Sequence, residues 1–388
     1  MTELYGNYQN EIYFGGLGGQ APEFPISIDA LQDAAKEVMT PEAYDYVAGA
    51  AGTEDTLREN LAAFRRWRLV PRMLRNVEVR DLSVEILGTK MAAPVMLAPI
   101  GVQEIMHPDK ELAIARAATA LGIPIVLSTA GSTPMEEVSD AMGDVARWYQ
   151  LYWPRDPELA ASFVRRAAAS GYSAIVVTLD TTTLAWRPRD LTRGFLPFLM
   201  GKGVAQYVSD PVFRAGLDKS PEEDPGAATL HWVQNFSNPS YTWDDLAYLR
   251  EQTDLPILLK GILHPDDAKD ALAHGMAGVI VSNHGGRQLD GAIATLDALP
   301  LIREAVGPDV PVLFDSGIRS GSDAIKAIAL GADAVLLGRP YAWGLALGGE
   351  AGVRQVLRSF LADLDLSMAL AGMTSIADID RDCLRQVV

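Results

Sequence analysis

Eight short apolar runs, most of them separated by longer amphipathic stretches, recur from Ala92 onward and narrow the folds open to this chain. The runs are Val95–Gly101, Pro124–Thr129, Arg147–Tyr152, Ala174–Asp180, Pro256–Gly261, Gly278–Asn283, Pro311–Gly317 and Ala334–Arg339. Between most of them lie alanine-rich segments with helical spacing, such as Leu112–Leu121, Leu159–Ser170, Asp266–His274 and Ser322–Leu330. Near-continuous apolar strands alternating with helices imply a parallel sheet buried on both faces. Eight such units close on themselves, so the expected class is α/β, a TIM (β/α)8 barrel. Every run ends on polar or glycine residues, at the C-terminal rim where such barrels build their sites.

Two segments fall outside the repeat. Residues 1–91 hold a helix over Ala30–Val38, opened by Ser27 or Asp29, and another over Pro41–Ala48; they read as an N-terminal cover over one end of the barrel. Residues 187–243, after the fourth strand, carry Pro188, Pro197, Pro211, Pro221, Pro225 and Pro239 with several aromatics, and read as an active-site lid insertion. Residues 1–388 are thus expected to form a single domain.

The formal net charge is −17, which argues against nucleic acid and anionic membrane surfaces as partners. It also opposes an acidic substrate, unless the site gathers its own arginines or lysines. Cys383 is the one cysteine, so an intramolecular disulfide and a CxxC metal site are excluded, and no metal is expected. Met1 to Tyr13 does not read as a signal peptide, and no apolar run approaches the roughly 20 residues of a membrane span. The expected location is cytoplasmic.

The rim motifs carry the chemistry. Asp315-Ser316-Gly317-Ile318-Arg319 and Gly338-Arg339-Pro340 end the last two strands, where glycines bare backbone N–H groups and arginines add charge for a phosphate. Ser282-Asn283-His284-Gly285-Gly286-Arg287 sets an imidazole and a guanidinium over the barrel mouth. An imidazole can take a proton near neutral pH, and a guanidinium can grip a carboxylate through two parallel hydrogen bonds. Asp180, ending another strand, would fix the tautomer of His284 if it reached the second ring nitrogen. Lys260 either stabilises a negative charge or serves as a Schiff-base nucleophile, as in an aldolase. His107, His231, His264 and His274 read as structural or surface residues.

These motifs, with Ala98-Pro99-Ile100-Gly101, Gln150-Leu151-Tyr152, Thr178-Leu179-Asp180 and Leu259-Lys260-Gly261, resemble the FMN-dependent α-hydroxy-acid oxidases and dehydrogenases from about Tyr8 to the C-terminus. Asn10-Glu11-Ile12-Tyr13, the run Trp186 to Thr192 and the stretch Tyr207–Phe213 are most similar to the lactate 2-monooxygenase branch. The resemblance implies FMN as cofactor and a small L-2-hydroxycarboxylate such as L-lactate, with O2, as substrates. Tyr46, Arg187 and Arg287 would hold the carboxylate, Tyr152 the substrate oxygen, and His284 would take a proton with Asp180 behind it. Lys260 would stabilise the reduced ring, which disfavours the aldolase reading. Pro99, Ile100, Gly101, Ser128, Gln150, Thr178 and Ser282 would line the isoalloxazine and ribityl chain, while Asp315, Gly317, Ile318, Arg319, Gly338 and Arg339 would bind ribityl and phosphate. A homotetramer or homo-octamer is implied in the same way.

Gly101 bears on the outcome of the reaction. Glycolate and lactate oxidases have alanine there and lactate monooxygenases glycine, so the missing methyl implies room for a retained keto acid to be decarboxylated to acetate, CO2 and water. The alternative is an L-2-hydroxyacid oxidase that releases the 2-keto acid and H2O2. Three residues depart from the pattern. Ala130 stands where glycolate oxidase has tryptophan and lactate monooxygenase leucine, implying a wider side-chain pocket, and Gln103 and Glu104 also differ.

Overall fold

The computed structural model describes residues 4–387. Its centre is a closed barrel of the eight expected strands. They are β1 (Val95–Leu97), β2 (Ile125–Ser128), β3 (Arg147–Leu151), β4 (Ile175–Thr178), β5 (Ile257–Ile262), β6 (Gly278–Val281), β7 (Val312–Phe314) and β8 (Ala334–Leu337). Each pairs in parallel with the next, and β8 closes the ring on β1 with Val335 opposite Val95. The chain is thus a TIM barrel.

Alternation along each strand sorts the core into two clusters. Met96, Val126, Trp148, Val176, Leu258, Ile280, Leu313 and Leu336 form one cluster inside the barrel. Their neighbours, among them Leu97, Ile125, Tyr149, Val177, Leu259, Val281 and Phe314, belong to the cluster shared with the outer helices. A side chain that slipped by one position would move from one core to the other, so apolar residues on both faces fix the register. The expected helices are found at Lys110–Thr119, Pro157–Ala169, Pro265–Ala273 and Gly321–Ala329. The last begins with a capping box, in which Ser320 and Asp323 satisfy each other's backbone N–H groups.

Residues before β1 do not form a cover over one end alone. Helices Pro41–Ala48 and Asp55–Arg65 lie at the C-terminal rim, where Gly49 O accepts a bond from Arg287 and Asn60 is bonded to Asn283. The hairpin of Val84–Ile86 and Thr89–Met91 plugs the opposite end, packing Ile86 and Met91 into the inner cluster. Trp148 Nε1 donates to Thr89 Oγ1 there at 3.0 Å, so the buried indole keeps a partner. Helix Ile28–Val38, capped by Ser27, packs on the final helix Arg339–Ala371.

The insertion after β4 is not an irregular loop. It folds into helices Pro188–Arg193, Ala205–Val208, Pro211–Ala215 and Pro225–Phe236, with a 3-10 turn at Pro197–Met200. Asp210, fully buried, ties it to the barrel helix Pro157–Ala169 through Arg166 at 2.9 Å and Ser162 at 2.7 Å. Among the described residues, no helix is long and apolar enough to cross a membrane.

Candidate active site

The segment after β6 is built by backbone geometry before it does any chemistry. His284, Gly285 and Gly286 have φ of +59°, +65° and +78°, the left-handed region. For a residue with a side chain this costs on the order of 1–2 kcal/mol, so His284 is held there by its surroundings. Asn283 supplies the hold: its Oδ1 accepts from Gly286 N at 3.1 Å, and it exchanges amide bonds of 2.8 and 2.7 Å with Asn60. A Cβ on Gly286 would stand 2.7 Å from Leu57 N, so only glycine lets helix Asp55–Arg65 come this close.

The ring that results has both nitrogens engaged. Asp180 Oδ1 lies 2.8 Å from His284 Nδ1, Thr181 Oγ1 lies 3.3 Å from the same nitrogen, and Tyr152 Oη lies 3.3 Å from Nε2. Gly261 makes room for the aspartate, since a Cβ on it would approach Asp180 Cβ to 2.9 Å. Burial lowers the His284 pKa, and Lys260 and Arg187 lower it further, while Asp180 partly offsets this. Burial raises the Asp180 carboxyl, but His284 and Lys260 outweigh it and leave the group below its ordinary value. Burial and the Asp180 charge push the Tyr152 phenol up. At neutral pH the trio is therefore a neutral imidazole backed by a carboxylate and facing an un-ionised phenol. Nδ1–H points at Asp180, which leaves Nε2 free to accept a proton.

Four arginines surround the same cavity without a carboxylate in ion-pair distance among the described residues: Arg187, Arg287, Arg319 and Arg339. Arg187 donates to Arg287 O at 2.9 Å and to Gln288 Oε1 at 2.6 Å. Burial, helped by Arg287, pulls its pKa down to about 10. Arg287 lies over the Tyr46 ring at 4.9 Å and donates to Gly49 O at 2.9 Å. Arg339 spends its donors on the carbonyls of Val47, Gly49 and Gly285, and burial holds it well below the ordinary arginine value. Arg319 donates to its neighbour's carbonyl at 2.8 Å, and burial brings it to about 10. Buried charge without a counterion is costly, so this chain has prepared the cavity for anions despite its net charge of −17.

The anion sites fall in two groups. Arg319 and Arg339 flank Gly317 and Gly338, where β7 and β8 end and helices Gly321–Ala329 and Arg339–Ala371 begin. Gly317, at φ +108°, brings backbone against Asn60 O, where a Cβ would stand at 2.7 Å. Glycine, helix N-termini and two arginines fit a phosphate. Arg187 and Arg287 stand with Tyr46, Tyr152 and His284 and fit a substrate carboxylate. Pro99, Ile100, Gly101 and Ile318 line the cavity between. The donor set therefore fits FMN, phosphate at one end and ring towards the other.

Lys260 is buried on the cavity wall, its Nζ 2.9 Å from Ser282 Oγ and 3.3 Å from Asp315 Oδ2. An ion pair of this kind is not the isolated amine in an apolar pocket that frees a lysine for Schiff-base chemistry. Ser128, Gln150, Thr178 and Ser282, expected along the isoalloxazine and ribityl chain, are buried at the strand ends. Ser128 Oγ donates to Gln150 Oε1 and Gln150 Nε2 to Thr178 Oγ1, each at 2.9 Å, forming a polar chain across β2, β3 and β4. Asp180 stands behind His284, as the resemblance implied.

Sequence reasoning missed Thr181, Ser316, Leu184, Phe198 and Phe236. Ser316, at φ +78°, accepts from Gly285 N at 2.9 Å and donates to Asp315 at 2.7 Å, locking the β6 and β7 ends together. Thr181 adjoins Asp180 and could have been found by position. Nothing local marks Phe198 and Phe236, which reach the cavity from the insertion.

Gly101 has a reason unrelated to open space. A Cβ placed on it would stand 2.6 Å from Ala130 Cβ and 2.9 Å from Ala130 O. The ends of β1 and β2 are packed here, with Val102 N donating to Ala130 O at 2.8 Å. Gln103 donates to Ile100 O at 3.1 Å, and Glu104 accepts from Gly203 N at 2.9 Å, so both divergent residues brace this rim.

Comparison with known proteins places the chain among flavin enzymes. The family model described as FMN-dependent dehydrogenase matches residues 35–386. An FMN-dependent alpha-hydroxy acid dehydrogenase of Penicillium citrinum is 45% identical over 387 residues, covering 99% of this chain and 96% of its own. An L-lactate oxidase of Lysinibacillus sphaericus is 43% identical over 366 residues, 94% of each chain. The crystal structure of a mandelate oxidase superposes with a TM-score of 0.83 at 39% identity, covering 94% of this chain and 99% of that one.

Proposed function

The chain belongs to the FMN-dependent α-hydroxy acid dehydrogenases and oxidases, and from that premise we propose that it converts an L-2-hydroxy acid to the 2-keto acid, with O2 leaving as H2O2. One observation carries the reading: His284, with its tautomer set by Asp180, faces Tyr152 in a cavity where Arg187 and Arg287 lack a counterion.

FMN, when bound, would take up the α-hydrogen with the two electrons of its bond to carbon and pass them on to O2. Arg319, Arg339, Gly317 and Gly338 would hold its phosphate, and Pro99, Ile100 and Gly101 would flank its ring. Arg187 and Arg287 take the substrate carboxylate. Tyr152, un-ionised, and His284 Nε2 share the substrate hydroxyl, whose proton passes to Nε2 as the α-carbon is oxidised. Asp180 stabilises the imidazolium that forms. Lys260 sets a cation in the wall against negative charge that builds during oxidation.

The decarboxylating outcome rested on room beside Gly101, and Ala130 occupies that position. Gly101 therefore gives no ground for decarboxylation, and release of the keto acid is the simpler outcome. Aerobic turnover should yield keto acid and peroxide in equal amounts; an acid one carbon shorter, with CO2 and no free peroxide, would contradict the reading. The proposal includes self-association, supported by exposed Tyr13, Phe14 and Leu17 on the first helix, and a cytoplasmic location, which a chain with one cysteine suits.

A further inference from the structure

One wall of the cavity takes no part in proton transfer. It begins at Tyr152, and Phe236 meets that ring edge-on with centroids 5.7 Å apart. Phe198 lies 5.4 Å from Phe236, and Trp232 stacks on both, at 4.5 Å from Phe236 and 4.7 Å from Phe198. Phe198 and Phe236 line the cavity together with Leu184 and Ala130. All three new rings come from the insertion, which Asp210 and Glu104 fasten to the barrel.

Ala130 brings only a methyl group to this wall. It is buried at 4% exposure, and its loop is pinned by Glu111, whose carboxylate accepts from Ser132 N and Thr133 Oγ1, each at 2.8 Å. Its Cβ already lies 2.6 Å from where a Cβ on Gly101 would stand. With alanine at 130, the wall keeps its rings and the space beside them.

We propose that the natural substrates carry an aromatic or comparably large apolar substituent on the hydroxyl-bearing carbon, and that Phe198 and Phe236 determine this specificity. The inference rests on the reading that Tyr152 and His284 orient a 2-hydroxy acid. With the hydroxyl at Tyr152, the substituent one bond away is directed along the wall that begins there. Phe198, Phe236, Leu184 and Ala130 offer no hydrogen-bonding side-chain atom, so a polar substituent would lose water without a partner. A phenyl ring gains buried area and edge-to-face contacts with Phe198 and Phe236, whereas a methyl group reaches little of the wall.

The test is anaerobic stopped-flow reduction of the FMN-loaded protein by L-lactate, L-phenyllactate and L-mandelate. At least one aromatic acid should reduce the flavin with a second-order rate constant about tenfold or more above that of L-lactate. A rate for L-lactate equal to or above both aromatic acids overturns the inference and leaves the oxidation reading standing. No reduction by any of the three overturns the oxidation reading itself, and the inference with it. Phe236→Leu, which keeps the wall apolar, should cut the aromatic-to-lactate ratio by about tenfold; an unchanged ratio removes Phe236 as a determinant.

Discussion

His284 can serve as a base because burial and Asp180 act on it in opposite directions. Burial keeps the ring neutral below its ordinary pKa of 6.5, and the carboxylate limits that fall while waiting to receive the positive charge. Replacing His284 by Gln should lower turnover by about two to four orders of magnitude while the protein stays yellow. Loss of flavin together with activity would instead make the residue structural. Since the neutral ring is the active form, kcat/KM should rise through the His284 pKa and be flat across neutral pH. Asp180→Asn removes the influence that raises this pKa, so the acidic limb should move to lower pH as the plateau falls; a limb that moves upward contradicts the assignment. His284, Asp180, Tyr152 and the four arginines were legible because each stands in or beside a rim motif or family pattern. Ser316 was not, because its role depends on which strand ends stand side by side.

The β1 and β2 ends and the insertion carry the account at the scale of elements. Gly101→Ala forces a methyl against the methyl and carbonyl of Ala130, so it should destabilise the protein by about 1–3 kcal/mol. Ala130→Gly in the same chain should recover part of that loss, and thermal melting of the single and double variants measures it. Strict additivity would mean that the two residues do not meet. Asp210→Asn takes the buried charge from Arg166 but leaves its two bonds to Glu136, so the cost should be about 1–2 kcal/mol. Hydrogen exchange in residues 205–215 should then rise, and unchanged protection would show that the insertion is held elsewhere. The strands were legible to within a few residues because both faces are apolar. The insertion was not. Its prolines read as loop punctuation, yet Pro188, Pro197, Pro211 and Pro225 each open a helical turn. Proline at the first helical position sacrifices no hydrogen bond, and Asp210 and Asp224 cap the backbone N–H groups that follow. The Asp-Pro pairs were the signal available.

Across the whole molecule, an acidic chain concentrates uncompensated cations in one place. The net charge of −17 is carried largely on the outside, while Arg187, Arg287, Arg319 and Arg339 meet at the mouth of the barrel. That inversion follows from the sequence only once the barrel is closed, because the four come from the insertion and the ends of β6, β7 and β8. The barrel itself was legible from its eight repeats, whereas the division of residues 1–91 between its two ends was not. Helix and hairpin signals say that elements exist, and only tertiary contacts say which end they meet. The most direct test of the account is the visible spectrum of the FMN-loaded protein, recorded without oxygen before and after an L-2-hydroxy acid is added, using the lactate and aromatic acids above. The account predicts a flavin spectrum that bleaches with at least one of them. A flavin spectrum that none of these acids bleaches would contradict it.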